Sequence, residues 1–109
     1  MLIRRGQELA SETFSAVTGL PMTGERLLGC GERVYNVEKL FNLREGFGRE
    51  SDYPPLRFFE EPLSDGPGKG TRLSRPDYDR ILNEYYESRG WDKETGVPSP
   101  EKLRSLDLL

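Results

Sequence analysis

Histidine is absent from this chain of 109 residues, and cysteine occurs once, at Cys30. The first absence removes the commonest general base and metal ligand, and with it most hydrolase and zinc-site readings. The second rules out an internal disulfide and leaves secretion without support from cysteine usage. Long apolar runs are missing as well. Met1-Leu2-Ile3 is followed at once by Arg4 and Arg5, which is too short for a signal peptide or a membrane span, so the default reading is a cytoplasmic protein with no membrane partner. Nor does one sign of charge dominate. Sixteen basic and nineteen acidic side chains are interspersed, for a net charge of -3. That argues against a nucleic-acid groove or an anionic membrane surface.

Apolar residues make up only 34% of the chain, and the mean hydropathy is -0.72. Burial is worth roughly 25 cal/mol per Å² and ordering costs roughly 1 to 2 kcal/mol per residue, so a single polar domain of this size is marginal alone. It needs a neighbour.

What is present is helical patterning. Between Thr23 and Arg57, Leu27, Val34, Val37 and Phe41, with Cys30 and Leu40 beside them, recur at three, four and seven, which marks one face of a helix and the best candidate core. Gly29 and Gly31 interrupt it, which suggests that another backbone packs close there. Earlier, Leu9, Ala10, Phe14 and Val17 share a face, and Gly19 with Pro21 forms a stop. Thr23 is the N-cap of the second helix, and a short link should leave the first two helices as antiparallel or steeply crossed neighbours. Ser74 caps a third helix with an apolar stripe of Tyr78, Ile81, Leu82 and Tyr85; Gly90 ends it, and Trp91 folds back on its end. Ser99-Pro100-Glu101 opens a short fourth helix carrying Leu103 and Leu106.

The expected fold is all-α: a small irregular bundle of three to four helices in a single domain, residues 1–109. The helices fall at about 5–18, 24–45, 75–89 and 100–106. Four prolines and several glycines make residues 46–73 an ordered, extended arm between the second and third, in which Tyr53-Pro54 is a possible cis bond.

Chemistry is scarce. Gly68-Lys69-Gly70-Thr71 has neither the glycine spacing nor the hydroxyl after the lysine that a phosphate loop requires, so it reads as a tight turn. Cys30, with no second cysteine to join it, reads as a small buried hydrophobe. The acidic pairs Glu60-Glu61 and Glu84/Glu87 read as solvated charge rather than glycosidase carboxylates, and Tyr85, Tyr86 and Trp91 as core rather than a stacking platform. The arginines leave two readings open. A guanidinium pairs bidentately with phosphate or carboxylate, so Arg33, Arg44, Arg49 and Arg57 could hold an anionic ligand; each also has Glu32, Glu45, Glu50 or Asp52 nearby. The preferred reading makes Arg33, Arg44, Arg49, Asp52 and Arg57 ion-pair or domain-interface residues.

The run GERVYNVEKLFNLREGFGRESDYPPLRFFEEPL, then GPGKG, then Tyr85-Tyr86 with RGWD, then Gly96-Val97-Pro98 before Glu101-Lys102-Leu103, resembles the C-terminal end of the tungsten-containing aldehyde ferredoxin oxidoreductases. Val17-Thr18-Gly19 also fits, and the resemblance covers nearly the whole chain. It implies a parent enzyme that oxidises aldehydes to carboxylates at tungsten, or molybdenum, held by two pterins, and passes electrons through a [4Fe–4S] cluster to ferredoxin. In that family these groups are bound upstream of this region, by an N-terminal domain and four cysteines; Cys30, inside LLGCGER, does not match the surroundings of the fourth. The expectation is a terminal helical portion, inactive alone, with no catalytic, cofactor-binding or metal residue of its own. It would partner the remaining domains of the parent or self-associate through an exposed apolar face. The other reading is a free-standing interaction module that docks on a protein carrying the cofactor domains. One cysteine without histidine cannot supply the four good ligands a cluster needs.

Overall fold

The computed structural model describes the backbone of residues 2–109 and the side chains of residues 4–109. Met1, part of the segment read above as too short for a signal, lies outside the described residues. The chain is all-α. Helix α1 runs Leu2–Thr18, α2 Gly24–Arg44, α3 Arg57–Glu60, α4 Arg75–Arg89 and α5 Pro100–Ser105, with a 3₁₀ turn at Arg49–Asp52. No helix among the described residues is long and apolar enough to cross a membrane.

Local rules set the helix ends. The Thr23 hydroxyl accepts the Arg26 N–H at 3.2 Å, Ser74 accepts that of Asp77 and Ser99 that of Lys102, each satisfying an otherwise orphaned donor of a first turn. Gly90 closes α4 with φ 71°, in the left-handed region where a Cβ is penalised. The Trp91 N–H then returns to the Tyr86 carbonyl at 2.8 Å, folding the indole back against α4. Residues 91–98 form a small loop closed by a bridge between Trp91 and Pro98. The arm is more structured than its prolines suggest. Pro55 presets one backbone angle, its carbonyl accepts the Phe58 N–H at 3.0 Å, and α3 follows as a single turn. A second loop is tied by paired hydrogen bonds between Leu63 and Thr71–Gly70, and every peptide bond described is trans, Tyr53-Pro54 included.

The core is small and sits at one end. Leu82, Tyr86 and Trp91 are buried together, with Tyr53 and Tyr78 packed against them. On α4 the inward line is therefore the half-buried Tyr78 and the buried Leu82 and Tyr86, at intervals of four, while Ile81 and Tyr85 of the expected stripe are exposed.

Helix α2 differs most from expectation. Val34, Val37 and Phe41, read as the core face, are exposed at 56, 50 and 61%, and the residues α2 buries are Asn36 and Lys39. Cys30, on the same side as the valines, is exposed rather than buried. A Cβ at Gly29 or Gly31 would meet nothing within 4 Å, so no backbone packs close there. One cause explains all three. The arm and α4 cover the polar side of α2, whereas among the described residues Val34, Val37 and Phe41 stay uncovered and Leu27 and Leu40 of the expected face are only half-buried. Helix α1 repeats the pattern: Ser11 is buried while Leu9 and Val17 are exposed, and α1 approaches α2 closely at Gly24, where an added Cβ would lie 3.7 Å from the Gln7 Cβ.

The dimensions follow. A compact domain of this length has a radius of gyration of about 13 Å; the chain measures 18.3 Å and extends 52 × 35 × 21 Å. A compact monomer of 12.5 kDa exposes about 6,200 Å². This chain exposes 8603 Å².

Candidate functional site

The chemistry-bearing side chains gather where the inner face of α2 meets the arm and α4. Glu32, Asn36 and Lys39, at intervals of four and three, line that face. The 3₁₀ turn carries Asp52 to the Lys39 ammonium, with Nζ to Oδ2 at 3.0 Å. The Tyr86 hydroxyl donates to the same carboxylate oxygen, and the Tyr78 hydroxyl donates to the Asp52 carbonyl at 2.6 Å. Lys39 Nζ lies 4.9 Å from the Trp91 ring centre and 5.3 Å from that of Tyr86, so a nearly buried ammonium is compensated by one carboxylate and two aromatic faces. The indole N–H of Trp91 donates to Asn36 Oδ1 at 2.9 Å, and Asn36 Nδ2 donates to the Glu32 carbonyl at 2.8 Å. The polar groups described here are paired.

Two further ties fasten the same corner. Glu32 holds Arg89 of α4 at 2.5 Å and Lys102 of α5 at 2.9 Å. The hydrogen bond from Lys102 and the charges of both cations hold its carboxyl below the usual carboxylate range, against the opposing effect of burial. Arg49 reaches the Tyr53 hydroxyl at 3.2 Å and the Lys93 carbonyl, and its guanidinium lies 5.3 Å from the Tyr86 ring centre. The Tyr53 hydroxyl donates in turn to Asp79 at 2.5 Å, which lowers that carboxyl. Burial, reinforced by the hydrogen bond to Asp52, pushes the Tyr86 phenol well above its ordinary value of 10, so it stays a donor. An open groove of 760 Å³ runs beside this knot, lined in part by Tyr35, Lys39, Ile81, Tyr85 and Trp91.

The residues singled out from the sequence divide. Asp52 and Arg49 lie in the knot; Asp52 pairs with Lys39, thirteen residues away, and Arg49 works through hydroxyl, carbonyl and ring contacts. Arg57 forms an exposed pair with Glu61 at 3.1 Å. Arg33 and Arg44 are exposed on α2, where they form no ion pair among the described residues, and they sit apart from the knot. Lys39 and Asn36 were not singled out, Tyr86 was read only as core, and Glu32 was offered as a partner for the nearby arginines whereas it pairs with Arg89 and Lys102. The signal for Glu32, Asn36 and Lys39 was the polar series 32, 36, 39 on one helix face.

The donor set does not fit a tungsten centre or an iron–sulfur cluster. Cys30 stands alone and exposed, and among the described residues no three His, Cys, Asp or Glu side chains group so as to hold a metal ion. Within the knot Lys39 is paired with Asp52 and Arg49 is held by a hydroxyl and a carbonyl, and the arrangement fastens helices together.

Fold and site thus define a small helical unit in which α2 packs its polar side inward and leaves Val34, Val37 and Phe41 exposed among the described residues. A family profile described as "Aldehyde ferredoxin oxidoreductase, domains 2 & 3" matches residues 3–108. The chain belongs to the aldehyde ferredoxin oxidoreductase family, and its likeness is to the C-terminal region. It is 38% identical over 98 residues to the tungsten-containing aldehyde ferredoxin oxidoreductase of Pyrococcus furiosus, covering 89% of this chain and 16% of the relative. The enzymes of the same name from Pyrococcus horikoshii and Thermococcus kodakarensis are each 37% identical, over 106 and 100 residues, covering 94 and 89% of this chain. The chain spans 16% of the length of these curated relatives.

Proposed function

We propose that this chain is the supporting C-terminal helical portion of an aldehyde:ferredoxin oxidoreductase, and that it acts by docking against protein that carries the redox groups. The parent reaction takes an aldehyde to a carboxylate and delivers electrons to ferredoxin in the cytoplasm. The tungstopterin, or molybdopterin, and the [4Fe–4S] cluster belong to that other protein, as does the chemistry they supply. This chain's residues hold shape: the Lys39–Asp52–Tyr86 knot sets α2 against α4, and the docked face walls the neighbouring domain.

The observation that carries this reading is the surface excess. The chain exposes about 2,400 Å² more than a compact monomer of its mass, roughly three times the area one partner buries in a standard interface. Much of it is apolar: Leu9, Val17, Val34, Val37 and Phe41 all lie exposed. A face of this kind belongs against another protein surface.

The test is reconstitution. The chain is co-expressed with the Pyrococcus furiosus relative from which the matched 98 residues have been removed, and aldehyde-dependent dye reduction is measured for each part and for the pair. The pair should co-purify and turn over, whereas the chain alone should not. Turnover by the chain alone, or no association of the two, overturns the proposal.

A further inference from the structure

We infer that the exposed stripe Cys30, Val34, Val37 and Phe41 of α2, edged by Arg33 and Arg44, is the anchor of the docking interface. Its occupant is an apolar surface of the remaining aldehyde ferredoxin oxidoreductase polypeptide, carrying carboxylates opposite the two arginines. This rests on the docking proposed above and adds where it occurs and what chemistry meets it.

At roughly 100° per residue these six positions span only about 100° of the helix surface, the width of a face made to be covered. They lie opposite Glu32, Asn36 and Lys39, which the knot already occupies, so α2 cannot turn its apolar side inward without breaking the knot. The stripe sits on a 21-residue helix capped at both ends, a rigid element fit to present an interface. Phe41 is the large aromatic of the set, the residue type that concentrates binding energy when a pocket closes over it.

The charges state what the occupant carries. Arg33 and Arg44 have no acidic partner among the described residues, although Glu32 and Glu45 are their sequence neighbours; Glu32 is held by Arg89 and Lys102. Both lie on one edge of the stripe, while Glu38 and Glu45 lie toward the other. If two copies met antiparallel through this stripe, Arg33 of one would face Arg44 of the other and the glutamate edges would also meet, a like-charge arrangement that disfavours that pairing. A carboxylate-bearing surface of another protein has no such cost. The chain spans 16% of its relatives' length, so protein able to supply that surface exists in each of them.

Cys30 supplies the reporter. Its thiol is exposed in this chain and lies within the stripe, so its rate of reaction with a disulfide reagent such as DTNB reads whether the stripe is covered. Mixed with the shortened Pyrococcus furiosus relative, Cys30 should become at least about tenfold less reactive, and Val37→Asp with Phe41→Asp should weaken retention about a hundredfold. Arg33→Gln with Arg44→Gln should weaken retention and make it less sensitive to salt. Because these positions are exposed, the substitutions should leave the melting temperature of the chain alone unchanged. If the pair co-purifies but Cys30 stays reactive and the aspartate variant is retained, docking stands and this surface is wrong. If the two never associate, both fall. If the aspartate variant melts lower, the stripe is internal packing. If Cys30 protection rises with the concentration of the chain alone, and sedimentation shows a dimer, the occupant is a second copy. Either result overturns the inference.

Discussion

Removal of the Asp52 carboxylate by Asp52→Ala is the sharpest test of the polar knot. It strands the Lys39 ammonium, whose side chain is 9% exposed, between two rings, and leaves the hydroxyl of the fully buried Tyr86 without its acceptor. Breaking a buried pair by removing one partner costs about 3–5 kcal/mol; the Asp52 side chain is 36% exposed, so water reaches part of the site and lowers this to about 2–4 kcal/mol. Small domains have only about 5–15 kcal/mol in total, and this chain's small core places it toward the lower end. With a urea slope of about 1–1.5 kcal/mol/M, the midpoint of helix loss by circular dichroism should fall by about 2 M. Lys39→Met replaces the ammonium by an apolar chain of similar volume, so Lys39→Met with Asp52→Asn should recover most of the stability, with a coupling energy of about 1–3 kcal/mol. A loss below about 0.5 kcal/mol for Asp52→Ala, or a cycle showing no coupling, would refute the claim that this contact organises the fold.

Three further outcomes follow from the same corner. Trp91→Phe removes the donor to Asn36 Oδ1, a fully buried amide, and should lower unfolding free energy by about 1–3 kcal/mol in urea titration; Asn36→Ala in the same background should cost less than it does alone. Gly19 and Gly96 both have left-handed φ, but a Cβ at Gly19 meets nothing, whereas one at Gly96 lies 3.1 Å from the Tyr86 ring; Gly19→Ala should cost about 1 kcal/mol and Gly96→Ala about 2–4, read as melting temperatures. Stability should fall at both ends of the pH scale. The Glu32 carboxyl titrates below its ordinary 4.5 when folded, so its contribution is present above that value and is lost as pH drops through the folded pKa; Glu32→Gln should flatten the acid limb. Tyr86 titrates above its ordinary 10 when folded, so stability is lost as pH rises past 10, and Tyr86→Phe should blunt that alkaline loss.

Helix ends were legible because each depends on a few adjacent residues: Thr23, Ser74 and Ser99 as caps, Gly19 and Gly90 as stops. The direction in which α2 faces was not. Periodicity states which residues share a face, and an apolar face is assigned to the interior only on the assumption that the interior lies in the same chain. Here that assumption fails, and Cys30, Gly29 and Gly31 were misplaced along with it. The site was half legible for a related reason. Asp52 stood out, but its neighbours Arg49 and Glu50 suggested local pairs, and nothing short of the fold brings Lys39 to it. Tyr85 and Tyr86 are adjacent on α4, and only the position of the arm decides that Tyr86 is the one enclosed.

The two faces of α2 separate stability from association. Covering the excess surface, just over half of it apolar, carries a gross gain of about 30–35 kcal/mol at 25 cal/mol per Å², well above the roughly 4–15 kcal/mol that association costs, although only the surplus after side-chain ordering and polar desolvation appears as affinity. The isolated chain has none of that gain and is held mainly by the knot and the Leu82–Tyr86–Trp91 cluster. Substitutions in the knot therefore lower the melting point of the chain alone, and binding, which stabilises by mass action, offsets part of their effect when the neighbour is present. Those in the stripe do the reverse, leaving the chain alone unchanged and removing the rise in melting point that the neighbour confers. A chain that kept all its contacts in one buried core could not show this double dissociation, because any substitution that loosened docking would also loosen the fold.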